Sequence, residues 1–261
     1  MTILKHELKQ SRRSLLIWTG SIGFFILICV FLYPEMKQEM AGISSLFASM
    51  GAFTAAFGMD RLDFGTLTGF YAIECGNILG IGGALFASLI GVNILSKEEK
   101  EGTAEFLLSH PISRFRLVTE KLLALLAQLV ILNAAVFLLS ALSLIMIGEE
   151  VPWQEISLLH FAFFLVQIEL CALCFCISAF LRQGGPGAGM GLAIFMYFLN
   201  IIANISKNAD FLKYITPFGY AEGADLISSM ALDGSMTAAG MGLGIAGILC
   251  GYLKYCRKDI R

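Results

Sequence analysis

The chain is short of charge. Asp, Glu, Lys and Arg make up only 15% of its 261 residues, against about 25% in a soluble globular domain. That deficit excludes a surface bathed in water on every side. Nucleotide and hydrolase signatures are also missing. GxxxxGK[ST], HExxH and GxSxG do not occur in the sequence, so it builds neither a P-loop, a zincin site nor a nucleophile elbow. Histidine is limited to His6, His110 and His160, none of them neighbours. No repeated filter or pore-lining motif of the kind a channel needs is visible. The glycine-rich stretch Gly184-Gly185-Pro186-Gly187 has no Lys-Ser or Lys-Thr after it, and it reads as a tight turn.

What the chain has is apolar length. Hydrophobic residues make up 57% of it, in six runs near Ser14–Tyr33, Tyr71–Ser96, Leu122–Ile147, Leu158–Leu181, Gly187–Ile205 and Met236–Tyr255. Each reaches the roughly 18 residues that a hydrocarbon core demands of a helix. Strands of a β-barrel would be shorter and would alternate in polarity. The expected fold is an all-α polytopic membrane protein, one transmembrane domain over residues 1–261.

Orientation follows from Lys and Arg, which accumulate in short cytoplasmic segments. With the N-terminus inside, fourteen of the 18 fall inside and only Lys37, Arg61, Lys207 and Lys213 fall outside. Both termini and the charged island Lys97–Arg116 are therefore expected in the cytoplasm, with the chain multi-pass in the cell membrane. The formal net charge of −2 goes with no nucleic-acid partner. The first apolar run exceeds a signal-peptide core, and Tyr33-Pro34-Glu35 is no cleavage site, so span one is expected to stay.

Residues Thr2–Arg13 set Ile3, Leu4 and Leu8 against Lys5, Lys9, Arg12 and Arg13. They predict an amphipathic helix at the inner interface, or a basic flank that orients span one. Ala41–Met59 places Ile43, Leu46, Phe47, Met50, Phe53 and Phe57 on one helical face. A seventh crossing there would reverse every later loop, so an interfacial or re-entrant outer helix is expected. A second outer excursion, Ser206–Ser235, predicts short helices at Phe211–Tyr220 and Ala224–Leu232, broken at Thr216-Pro217 because proline disfavours helix at the residue before it. The seven cysteines lie in or beside apolar runs. Cys171-x-x-Cys174 lacks a second pair or a nearby histidine and reads as packing.

Polar groups inside spans are functional candidates because burying them is costly. Glu169 is the sharpest, as a cation ligand or proton relay; Asn133 and Asn200 are further candidates for a substrate pathway, with Gln128, Gln167 and Asn204 nearby in sequence. All can equally hold helices together by hydrogen bonds. No metal site is expected.

The island between spans two and three reads Lys97-Glu98-Glu99-Lys100-Glu101-Gly102-Thr103, then a helix-compatible run closed by Pro111, then Ser113-Arg114. Ser113 is placed to cap the helix that restarts there. The pattern Glu98-x-x-Glu101-Gly102-Thr103-x-x-x-Leu107-Leu108-x-x-Pro111-x-Ser113-Arg114 resembles the cytoplasmic signature of ABC-2 type permeases, the membrane subunits of one class of ATP-binding-cassette transporter. Tyr33-Pro34, Gly69-Phe70-Tyr71 to Glu74, and Ile215-Thr216-Pro217-Phe218-x-Tyr220 extend the likeness along the chain. The resemblance implies that residues 2–13 form an elbow helix and that 97–116 form a coupling helix docked on a separate ATPase. Glu98, Glu101, Phe106 and Leu107 would then make contacts, Gly102, Thr103 and Pro111 would shape the segment, and Arg114 would pair with the ATPase or with lipid phosphate. It further implies two ATP-binding subunits carrying ATP and magnesium, a second permease copy or paralogue, and export as the commoner direction. This chain itself would be no enzyme and would hold no cofactor. Two other readings are a membrane sensor or scaffold that recruits an ATPase, and an ion-coupled carrier centred on Glu169.

Overall fold

The computed structural model describes residues 2–49, 51–104, 112–182 and 185–258. Among these, six helices are long and apolar enough to cross a membrane. In chain order the α-helices are α1 (Thr2–Ser49), α2 (Ala52–Ala56), α3 (Leu67–Phe70), α4 (Gly76–Asn93), α5 (Lys97–Glu101), α6 (Arg114–Met146), α7 (Trp153–Phe180), α8 (Pro186–Ile205), α9 (Gly223–Ser229) and α10 (Gly234–Arg257). The protein is an all-α, multi-pass membrane protein.

The first surprise is α1. Neither a separate elbow over residues 2–13 nor a separate outer helix over 41–59 is present: residues 2–49 form one continuous helix, with Pro34 inside it. No glycine or proline interrupts residues 2–19. The helix start is capped from far away, because Glu120 Oε2 accepts from Ile3 N and Leu4 N at 3.0 and 3.3 Å. Pro34 cannot donate an intrahelical bond, yet both of its sides are held. The Tyr33 hydroxyl donates to Gly65 O at 3.1 Å, and Lys37 Nζ donates to Glu149 Oε1 at 2.9 Å.

Span two begins at α3, whose first turn is capped by the Thr66 hydroxyl accepting from Gly69 N. A π-turn over Tyr71–Cys75 then leads into α4. Such turns are rare and need outside support; here the Tyr71 hydroxyl lies 2.7 Å from His160 Nε2 on α7.

The bundle closes on glycine. Gly76, Gly80, Gly83 and Gly91 of α4 lie against Phe163, Gln167, Cys171 and Cys174 of α7. Gly240, Gly244, Gly247 and Gly251 of α10 lie against Glu169, Ala172 and Phe175 on α7. Lipid is as apolar as leucine, so membrane helices associate through close packing, and small residues permit it. Large side chains such as Phe24, Phe195, Ile245 and Leu249 point outward and are exposed, as lipid-facing positions must be. Cys171 and Cys174 are free thiols in the glycine-lined seam.

The Ser206–Ser235 excursion is more than an outer cap. It starts as a 3₁₀ helix over Lys207–Tyr214, breaks at Thr216-Pro217, and resumes as a 3₁₀ turn over Gly219–Ala221 ahead of α9. The break falls where proline predicts it; the expected helices at 211–220 and 224–232 are shorter and partly 3₁₀. The Thr216 hydroxyl donates to Met196 O at 2.8 Å. Met196 lies nine residues inside the end of α8, a depth of about 14 Å at 1.5 Å per residue. The segment thus dips into the bundle.

Candidate functional site

The charged island is anchored by one lysine. Lys121 sits two turns into α6 and is 0% exposed. Its ammonium donates to Glu7 Oε1 of α1 at 2.8 Å, to Ile94 O at 2.7 Å and to Glu98 Oε1 of α5. Three acceptors match the three protons of an ammonium, which is how a charge is tolerated in such a place. Lys97 reaches back to the other oxygen of Glu7 and to Gln10 Oε1. The turn between α4 and α5 is set by Ser178 of α7, whose hydroxyl accepts from Leu95 N and Ser96 N at 2.9 and 3.2 Å.

The C-terminal end joins the same network. Lys258 Nζ lies 2.6 Å from Glu99 Oε1 and donates to Leu181 O at 2.9 Å. Arg114 donates to Lys258 O and Cys256 O at 2.6 and 3.3 Å. The first turn of α1, the end of α4, the start of α6 and the ends of α7 and α10 are therefore tied together at one end of the bundle. We call it the basic end.

This geometry places the island's charges differently from one another. Glu98 is only 8% exposed and is turned inward on Lys121, where it ties α5 to α6. Arg114, half-buried, donates from Nη1 to the carbonyls of Cys256 and Lys258 and so anchors that end. Glu99, for which no role was predicted, pins α10. What remains on the surface is Glu101, Gly102 and Thr103, all exposed. Gly102 ends α5 with φ 69°, the left-handed region in which a side chain is strained; this turns the chain out of the network. Phe106, Leu107 and Pro111 lie outside the described residues. Ser113 caps α6 as its position predicts, accepting from Arg116 N at 3.3 Å.

The three intramembrane candidates are held in three separate pairs. Asn133 and Gln167 exchange reciprocal amide bonds at 2.6 and 3.3 Å between α6 and α7. Glu169 accepts from the Tyr220 hydroxyl at 3.1 Å, with Gly240 of α10 at its other side. Asn200 donates to Glu222 Oε2 at 3.3 Å. Each joins a span to a neighbour, the work that buried amides do in membrane bundles. Tyr220→Phe would leave Glu169, 1% exposed, without that donor, an expected loss of about 1–3 kcal/mol. Glu169→Gln keeps an oxygen to accept the bond and is expected to melt close to wild type. Thermal unfolding of the two variants in detergent checks both.

The whole chain can now be compared with known families. The model of the ABC-2 family transporter protein matches residues 1–255. The chain belongs to the ABC-2 transporter family. It is thus the permease, the membrane-spanning subunit of an ABC transporter, and permeases of this family work with ATP-binding subunits. No curated protein matches the chain in a sequence comparison. In this ABC-2 permease the island is built from two halves: an inward half, Lys97 to Glu99, knitted into the bundle, and an outward half from Glu101. Composition marks the island; the pairing of Lys121 with Glu98 and of Lys258 with Glu99 divides it.

Proposed function

We propose that this permease carries a substrate across the cell membrane, in the outward direction, as a pair of permease copies or paralogues driven by two ATP-binding subunits. Both termini and the basic end face the cytoplasm, in keeping with the distribution of Lys and Arg. ATP and magnesium are bound by the partner subunits, since the chain lacks a nucleotide motif. The docking surface is the outward half of the island, Glu101, Gly102 and Thr103, continuing through Phe106, Leu107 and Pro111. The observation that carries this reading is the buried ionic footing beside Glu101, Gly102 and Thr103. Glu98 and Glu99 bind the adjoining turn to α1, α6 and α10 through Lys121 and Lys258. A push on Glu101, Gly102 and Thr103 would therefore reach three membrane helices.

The test is co-purification of the tagged permease with its ATP-binding subunit, using the exposed positions only. Glu101→Lys combined with Thr103→Asp is expected to cut recovery of the ATPase at least tenfold while leaving the permease folded. Undiminished recovery would place the docking surface elsewhere. Proteoliposomes separate the remaining readings. ATP-dependent substrate movement that vanishes with an ATPase-dead partner supports a transporter. ATPase recruitment without movement supports a sensor, and movement without any ATPase supports an ion-coupled carrier.

A further inference from the structure

At the end of the bundle opposite the basic end, two buried amide oxygens lack a hydrogen-bond partner among the described residues. Glu222, 8% exposed, accepts on Oε2 from Asn200 Nδ2 at 3.3 Å and Asn204 Nδ2 at 2.8 Å. A carboxylate offers only acceptors. Both carboxamides must therefore turn their nitrogens to Glu222 and their oxygens away from it. Neither Asn200 Oδ1 nor Asn204 Oδ1 has a hydrogen-bond partner among the described residues, and both atoms are buried.

Asn200, 7% exposed, lines a cavity of about 40 Å³ together with Asn77, Tyr197 and Glu222. The Tyr197 hydroxyl donates to Asn77 Oδ1 at 3.1 Å, and Asn77 Nδ2 gives one of its two protons to Ile73 O at 2.8 Å. The Asn200 oxygen is the buried acceptor on that lining without a partner among the described residues. Charge leans the same way. Arg61 lies 3.6 Å from Glu222, 2.6 Å from Asp225 and 4.0 Å from Asp60, one guanidinium among three carboxylates. Space is kept for the Glu222 side chain by Gly58, where φ is 67° and a Cβ would meet Glu222 Oε1.

We propose that this cavity is a resident site for a monovalent alkali cation, held by oxygens of Asn200, Asn77 and Glu222. A buried acceptor without a donor costs free energy, and a cation satisfies several such oxygens at once. A single carboxylate lines the cavity, which suits one positive charge better than two. The volume suits an ion with one or two waters, each needing about 10–15 Å³ by the same measure, and excludes an organic substrate. Bound there, the ion ties α4 and α8 to the segment that dips between them. It is a fixture of the fold, separate from whatever the permease carries, and the inference does not depend on the transport reading.

The test is thermal unfolding of the purified full-length permease in sodium, potassium or choline chloride at equal ionic strength. A saturable rise of about 5 °C in sodium, potassium or both over choline is expected, because a ligand that binds only the folded state stabilises it. Asn200→Asp keeps the volume but sets a second carboxylate beside Glu222. It is expected to melt below wild type in choline and to show a larger alkali-ion shift. Asn200→Leu removes the oxygen and is expected to flatten the response. Identical melting of wild type in the three salts, with Asn200→Asp lowered equally in all of them, would mean that the cavity holds water alone and would overturn the proposal.

Discussion

Lys121→Met is expected to lower the melting temperature of the purified permease by about 10 °C. The substitution keeps most of the length of the side chain and deletes the charge. Glu7 and Glu98, 4% and 8% exposed, then face each other with Lys97 as the nearest remaining cation on Glu7 alone. Breaking a buried ion pair from one side costs about 3–5 kcal/mol, because the partner is left buried and uncompensated. For a chain of this size each kcal/mol is worth about 2–4 °C. The damage should be specific. Adding Glu98→Gln to Lys121→Met removes one stranded carboxylate and is expected to recover part of the loss, as a double-mutant cycle would register. A single variant that melts like wild type, or a double variant worse than the single, would show that Lys121 does not hold the island. ATPase co-purification should follow the same order, since residues 101–103 rest on this footing.

The second large effect concerns two glycines with the same appearance in sequence. Gly91→Ala is expected to destabilise severely, whereas Gly242→Ala is expected to leave stability unchanged or slightly raised. A Cβ at Gly91 would stand 2.7 Å from Cys171 O and 2.9 Å from Cys174 Cβ. Backbone cannot swing aside as a flexible side chain can, so α4 and α7 would have to separate along their seam. Overpacking of this kind costs about 1–3 kcal/mol, occasionally more. Gly242 has nothing within 4 Å of its would-be Cβ, and alanine is the better helix former. Expression and melting of the two variants side by side decide the matter. Equal behaviour would mean that the α4–α7 seam has slack to absorb a methyl group.

Several features were legible in the residues themselves. Six spans follow from apolar length, the α6 cap from Ser113, and the break before α9 from Pro217. The continuity of α1 was not legible. A basic amphipathic stretch looks alike whether it lies flat as its own helix or runs on into a span. The contacts that hold it, from Glu120, lie 116 and 117 residues away. The fate of the glutamates was hidden for a similar reason. Glu98, Glu99 and Glu101 stand within four positions and look equally solvated, but only Glu101 is exposed. The lysines that remove the other two from water come from α6 and the C-terminal end.

By itself, then, the sequence determined the class of this protein: an α-helical membrane chain with six spans, its Lys and Arg gathered at one end, and no GxxxxGK[ST] motif. These properties are local sums. The cost of placing a segment in hydrocarbon is set by that segment's own residues, so reading along the chain suffices. Tertiary structure decided which charges hold the bundle and which stay exposed. It also decided that the excursion after α8 dips inward to put Tyr220 on Glu169, and which glycines lie in a seam. Those outcomes depend on which distant groups meet, because a buried charge or amide is tolerated only when its partner arrives from elsewhere in the chain.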